Sequence, residues 1–280
     1  MRVDRLLTLG LFNPVKKATD WTKTPRIPIL MYHSISEQSF PGKHPYYQTH
    51  TPPEIFREQM AILQELDYKV ISLRHAAEFL FSSKMPDEKT AVITFDDAYQ
   101  DFMTHAYPIL MDSGFTATVF VPTGLVGKVS ERLLNRICLS WDELAELSRN
   151  GMEIGSHTIT HPKLPLLPRE KVSYEIAYSK NEIEERLNRE VESFSLPYAF
   201  PEGHNSFLRF YYGILKECGY RCGVTTRIGR ASPKDGEYGL RRIPINNSDD
   251  ERFFKAKLEG GYDWIGYLQF FKKFIHSSFV

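Results

Sequence analysis

Two adjacent carboxylates, Asp96 and Asp97, end the apolar stretch Ala91-Val92-Ile93-Thr94-Phe95. Two imidazoles, His157 and His161, stand four residues apart just after a second short apolar stretch at 152–155. A carboxylate pair at the end of a buried strand is costly unless a cation or a shared proton relieves it. Successive side chains of a strand face opposite ways, so the chain must bend at Asp96 for both acids to enter one pocket. Imidazoles four apart can bind one metal from a single helical turn. Pro162 disfavours the helical state at His161, however, so a tight loop or first turn is expected, and the glutamate of the HExxH proteases is absent. By itself each signal is weak, since a strand ending in Asp-Asp is often a solvated loop. Together they supply two nitrogens and one hard oxygen, the donor set of a three-ligand catalytic metal with open positions. Such an ion polarises a carbonyl and lowers the pKa of water, and the second aspartate becomes the natural general base.

The elements that must bring these side chains together alternate regularly. Strands are expected over 26–32, 69–72, 90–95, 116–121, 152–155, 191–196, 221–225 and 240–245, and helices over 73–81, 99–112, 140–150, 168–188 and 206–219. An earlier helix is signalled by Thr51 and Glu54 at capping-box spacing and by Phe56, Met60, Leu63 and Leu66 at helical intervals. Repeated βα units argue for a parallel sheet, and about seven of them argue for closure into a barrel with function at the carboxyl ends of the strands. Residues 34–52, rich in Ser, Pro, Gly, His and Tyr, read as a long loop.

A chain of 280 residues with 42% apolar and 25% charged residues can bury one large core. Its 35 basic and 35 acidic residues balance, which argues against a nucleic-acid partner. The three cysteines, Cys138, Cys218 and Cys222, form no CxxC pair and read as buried thiols of a reducing compartment. No stretch reaches the roughly 20 apolar residues of a membrane-spanning helix, and the run Leu6 to Phe12 is short for a secretory signal, so a cytoplasmic location is expected. Residues 1–25 are expected as an N-terminal extension, 26–248 as the barrel and 249–280 as a C-terminal helical segment. Trp264, Tyr267, Leu268, Phe271 and Ile275 recur there at helical spacing beside Lys272 and Lys273. Packing on the barrel is the expectation for that segment, with membrane-surface contact as the alternative.

Thr94-Phe95-Asp96-Asp97 and His157-Thr158-Ile159-Thr160-His161 resemble the first two motifs of the polysaccharide deacetylases, the NodB-homology group of carbohydrate esterase family four. The likeness extends to Pro28-Ile-Leu-Met-Tyr-His33, to the helix and strand over 56–73, and to Leu139-Ser-Trp-Asp-Glu-Leu144 before the histidine motif. It implies an α/β fold, a distorted (β/α)7 barrel. It also implies Asp97, His157 and His161 as ligands of one divalent ion, zinc or else cobalt, nickel or manganese, with Asp96 as the base. Phe194-Ser-Leu-Pro-Tyr-Ala199 is similar to the family's third motif, so the backbone N–H of Tyr198 is expected at the oxyanion. Leu196 stands near where that motif carries an arginine, and the late Leu-x-Leu-His motif is missing. The branch resembling poly-N-acetylglucosamine deacetylases has a circularly permuted site with the acid on the first strand. By that likeness His33 is the general acid, and Arg242 is the substitute arginine.

The implied activity is removal of N-acetyl groups from an amino sugar or polysaccharide. Two alternatives share parts of the pattern: a deacetylase or deformylase of a small molecule or lipid-linked sugar, and a carbohydrate-binding barrel without catalysis. Tyr32 reads as packing, and His44, His50, His75, His105, His204 and His276 have no motif support.

Overall fold

Every residue of the stretch Thr90–Phe95 is buried. Its β-branched and aromatic side chains therefore suit a strand covered on both faces, as the strands of parallel sheets are. The computed structural model describes residues 2–19, 25–37, 48–82 and 88–269. Its strands are β1 (Ile29–Tyr32), β2 (Ser34–Ile35), β3 (His50–Thr51), β4 (Lys69–Val70), β5 (Thr90–Phe95) and β6 (Thr118–Val121). They continue with β7 (Val129–Ser130), β8 (Arg136–Ile137), β9 (Glu153–Ser156), β10 (Ser193–Ser195), β11 (Cys222–Ile228) and β12 (Leu240–Pro244). Seven of them close a parallel barrel in the order β1-β12-β11-β10-β9-β6-β5, with Ile29 opposite Val92 and Tyr32 opposite Phe95 completing the ring. The barrel is distorted: β9 meets β10 through a single pair, Phe194 opposite Ser156, and β11 slips against β12 between Val224 and Ile228.

The helices are α1 (Val3–Leu7) and α2 (Asn13–Thr19), joined through a π-helical turn (Thr8–Phe12), then α3 (Pro53–Glu65) and α4 (Leu73–Phe81). After them come α5 (Tyr107–Ser113), α6 (Trp141–Arg149), α7 (Arg169–Leu187), α8 (Asn205–Glu217) and α9 (Glu251–Leu258). Alternation along the strands divides the core. Ile29, Val92, Phe120, Val224 and Leu240 pack with Leu73, Ala76, Ala77 and Leu80 of α4, while Leu30, Ile93, Val119, Phe194 and Ile243 pack with the other barrel helices. The Leu73 and Arg74 amides donate to Thr118 Oγ1 and Glu153 Oε2, at the first residues of β6 and β9. α4 thus closes the amino-terminal end of the barrel and leaves the carboxyl end for chemistry.

Several expected elements change form. Thr51 does not cap α3: it is buried in β3, and Pro52 takes the N-cap position without a side-chain bond. The ends of the 34–52 loop are paired, Ser34 opposite His50 and Ile35 opposite Thr51, while residues 38–47 lie outside the described residues. The helix expected from residue 99 instead starts with a β-bridge from Tyr99 to Cys138, followed by a π-helical turn (Phe102–Ala106) and then α5. Pro108, lacking an N–H, interrupts the α ladder at that junction. The hairpin β7–β8 lacks the long alternating pattern by which strands are read. At the C-terminus the helical spacing is realised over 264–269, and Phe271, Lys272, Lys273, Ile275 and His276 lie outside the described residues.

α9 packs against α3 and the N-terminal π-helical turn, and an ion pair fixes it to the barrel rim. Lys257, 1% exposed, donates to Asp249 Oδ2 at 2.7 Å and to the Pro244 carbonyl at the end of β12 at 2.6 Å. Burial lowers the lysine's pKa and Asp249 opposes the shift. Removing one partner of such a pair leaves an uncompensated buried charge, which Arg2, 3.1 Å from Asp249 Oδ1, only partly offsets. Lys257→Met is expected to lose about 3 kcal/mol of unfolding free energy in urea titrations. A loss below about 1 kcal/mol would show that Arg2 alone suffices.

Candidate metal centre

The two acids diverge because the backbone turns sharply between them. Asp96 still pairs as strand, its amide donating to the Tyr32 carbonyl at 3.0 Å, whereas Asp97 and Ala98 have φ of 73° and 49°. The left-handed conformation is rare for residues with a Cβ and persists only where the surroundings enforce it. Here the Ala98 carbonyl accepts from the Leu139 amide at 2.8 Å, and the Asp97 carbonyl accepts from the Cys138 thiol at 3.5 Å. Burial, aided by Asp97, pushes that thiol up to about 12, so Cys138 is a structural donor rather than a nucleophile.

The histidine segment is neither helix nor strand. It leaves β9 with the His157 amide bound to the Val121 carbonyl and passes through Thr158 (φ 69°) and His161 (φ 52°). Glu175, a buried acid on α7, holds the turn: its carboxylate accepts from the Ile159 and Thr160 amides at 2.8 and 2.9 Å and from Thr160 Oγ1 at 2.7 Å. Gly124 donates to the Ile159 carbonyl, and a Cβ at that position would lie 2.9 Å from the same oxygen, so only glycine permits the approach.

These turns deliver Asp97, His157 and His161 to one point, all buried and with donor atoms within 4.8 Å of one another. Asp97 Oδ1 lies 3.6 Å from His157 Nε2 and 3.4 Å from His161 Nε2, and it is buried without a hydrogen-bond partner. A tetrahedral centre with bonds of about 2.1 Å spaces its ligands by about 3.4 Å. Burial drives His157 down to about 4, so the ring is neutral at neutral pH. Its Nδ1–H donates to the Ser195 carbonyl at 2.8 Å, which leaves the Nε2 lone pair facing Asp97. A buried oxygen that lacks a donor and a lone pair aimed at the same point fit a divalent cation.

Asp96 is held differently. Arg242, with no solvent exposure, grips it through two bonds of 2.7 Å, Nη1 to Oδ1 and Nη2 to Oδ2. The remaining guanidinium donors reach the Thr225 carbonyl, Thr94 Oγ1 and Ser195 Oγ at 3.0, 3.2 and 3.1 Å. Burial alone would raise the Asp96 pKa. The charge of Arg242, with its guanidinium hydrogen bonds, outweighs burial and holds the carboxyl well below the usual carboxylate range.

The structure thus brings Asp96, Asp97, His157, His161 and Arg242 together. His33, half-buried just past β1, lies within electrostatic reach of Asp96. Tyr198 (φ 62°) follows β10 with its ring 4.7 Å from that of His161. Leu196 is 1% exposed within the apolar core. Tyr32 packs against Phe56 and Phe95 and donates to Gln59 Oε1. Among the unassigned histidines, His44 and His276 lie outside the described residues.

Sequence reasoning missed Thr94, Ser195 and Glu175. The first two were visible as hydroxyls in otherwise apolar strands. Glu175 was visible as an acid on the face of α7 that carries Val172, Ile176, Ser179 and Ile183.

Comparison with known proteins agrees with this geometry. The family model described as "Polysaccharide deacetylase" matches residues 83–222. YxkH of Bacillus subtilis, provisionally named a polysaccharide deacetylase, is 31% identical over 245 residues, covering 85% of this chain and 79% of that protein. The poly-beta-1,6-N-acetyl-D-glucosamine N-deacetylase of Staphylococcus aureus is 25% identical over 240 residues, covering 81% of each. The Streptococcus pyogenes deacetylase PplD, solved in complex with acetate, superposes with a TM-score of 0.73 at 27% identity, covering 84% of this chain and 99% of that one.

Two substitutions separate the supports of the site. Arg242→Lys keeps the charge but loses the two-pronged fork, and a drop of about 2 kcal/mol in unfolding free energy is expected. Unchanged stability would mean that any cation in that position suffices. Glu175→Ala should fold and weaken zinc binding about 10- to 100-fold in chelator competition, as loss of a support behind a ligand does. Undiminished affinity would remove Glu175 from that role.

Proposed function

The chain belongs to the polysaccharide deacetylase family, and on that premise we propose that it hydrolyses the N-acetyl group of an N-acetylglucosamine-type sugar or polymer with the help of one divalent ion. The observation that carries this reading is the buried Asp97, His157 and His161 cluster beside an Asp96 carboxylate kept ionised by Arg242. The name of the staphylococcal relative supports the substrate class.

Asp97 Oδ1 and Nε2 of His157 and His161 would hold the ion. When bound, it would supply a Lewis acid that polarises the acetyl carbonyl and makes water more acidic. Two nitrogens and one oxygen at tetrahedral spacing favour zinc, with cobalt, nickel or manganese also accommodated.

The protein's own groups supply the remainder. Asp96 takes a proton from the attacking water as its oxygen bonds to the acetyl carbon, and Arg242 keeps its oxygens from rotating out of line. Charge developing on the carbonyl oxygen is met by the Tyr198 backbone N–H. His33, at the end of β1 next to the strand that carries Asp96, donates a proton to the sugar nitrogen as the C–N bond breaks, leaving acetate and a free amine. Burial of Asp96, Asp97, His157, His161 and Arg242 strengthens their interactions by excluding water.

Acetate release from N-acetylglucosamine oligomers is expected to vanish with a strong chelator and to return with zinc. Asp96→Asn should retain one metal per chain by elemental analysis while kcat falls on the order of 100- to 10,000-fold, and His33→Ala should lower kcat about 100-fold. Full turnover in Asp96→Asn would remove the base assignment. A protein that binds metal yet releases no acetate from any N-acetylated sugar would overturn the activity itself.

A further inference from the structure

The N-terminal helical run is docked the wrong way round for a surface helix. Amphipathic helices bury their apolar side and show polar residues to water. Here the exposed positions between residues 2 and 16 are Val3, Leu6, Leu7, Leu11 and Val15 together with one glycine and one proline, and no polar side chain is among them. Val3, Leu7, Leu11 and Val15 follow one another at intervals of four, and each is 39% exposed or more. The polar residues instead turn to the protein: Arg2 to Asp249, Arg5 to Asp250, Asp4 to the Tyr262 hydroxyl and Thr8 to Trp264 Nε1. Phe12 adds a ring stacked on Trp264 at 4.3 Å. The orientation is fixed by these bonds, so the outward apolar face is built in rather than left over.

We propose that this face is a lipid-binding surface that seats the protein on an anionic membrane. The stripe from Val3 to Val15 is too short to cross a bilayer, which takes about 20 residues, and no helix among the described residues is long and apolar enough to do so. An apolar stripe on a helix lying in the interface plane needs only to sink its side chains past the headgroups.

Charge supports the same occupant. Residues 1–19 and 264–280 carry Arg2, Arg5, Lys16, Lys17, Lys272 and Lys273 against Asp4, and with Asp249 and Asp250, which pair with Arg2 and Arg5, the balance is +3. The chain as a whole is neutral, so the rest of it is at −3. The two segments touch where Phe12 stacks on Trp264, and the described part of the second, residues 264–269, exposes Tyr267 and Leu268. Such a mixture of basic and aromatic residues suits an anionic lipid surface. A second copy of the chain fits less well. A helix of 13 to 17 residues offers a stripe of about 25 by 10 Å, on the order of 250 Å², whereas a stable interface buries about 800 Å² per partner.

Flotation of the full chain with vesicles tests the proposal without reference to catalysis. The protein should float with phosphatidylcholine vesicles containing phosphatidylglycerol and less with phosphatidylcholine alone. Leu7→Glu combined with Leu11→Glu should weaken binding tenfold or more, and Leu7→Ser with Leu11→Ser should weaken it without changing the charge. Both pairs are solvent-exposed, so the melting temperature should stay that of the parent. Failure of the parent to bind vesicles, or equal binding by both double variants, would overturn the proposal. So would a dimer in light scattering that both double variants dissociate, because the face would then be an interface between copies.

Discussion

A guanidinium sealed from solvent organises the mouth of this barrel. Arg242 spends all five of its donors on protein oxygens, two of them on Asp96. A buried arginine without a carboxylate would be prohibitively costly, as would a buried carboxylate without the arginine. Each therefore fixes the other, and the pair joins four strands, since Arg242 is on β12, Thr225 on β11, Ser195 on β10 and Thr94 on β5. Ser195 ties the two halves of the site together. Its hydroxyl lies between Asp96 and Arg242, and its carbonyl receives the His157 Nδ1–H.

The two aspartates do opposite electrostatic work although they are neighbours in sequence. Asp96 is saturated with donors, while Asp97 Oδ1 is buried with none. One carboxylate is thereby held as a fixed negative charge with a preset orientation, and the other is left for a cation. The turn at Asp97, Ala98, Thr158, His161 and Tyr198 is the cost of that separation, all five being left-handed residues with a Cβ. Packing of the hairpin segment around Cys138 and Leu139, and the carboxylate of Glu175, hold the strained turns in place.

The barrel wall and the mouth have different tolerances. The wall is an apolar shell in which α4 closes one end, so side-chain volume matters there more than chemistry. At the mouth, side chains from loops and strand ends are set by hydrogen bonds whose partners are distant in sequence, such as Arg242 and Asp96, 146 residues apart. The N-terminal run follows neither pattern, since it uses polar bonds to present apolar residues outward.

Much was legible without coordinates. Period and apolar runs located the barrel strands and most of the helices. Asp97, His157 and His161 stood out because strand-end carboxylates and paired imidazoles are costly or idle without a shared purpose. Three-dimensional closure decided the remainder. A pattern read along the chain carries no information about which distant residue will face a buried acid, so Thr94, Ser195 and Glu175 stayed unnoticed, and Arg242 was reached through the family resemblance, its grip on Asp96 appearing only in the fold. The β-ladders as short as two residues, and the direction in which the first helix presents its leucines, were likewise hidden. They depend on which neighbour each face finds, and packing free energy is shared among residues far apart in sequence, whereas propensity and spacing are local.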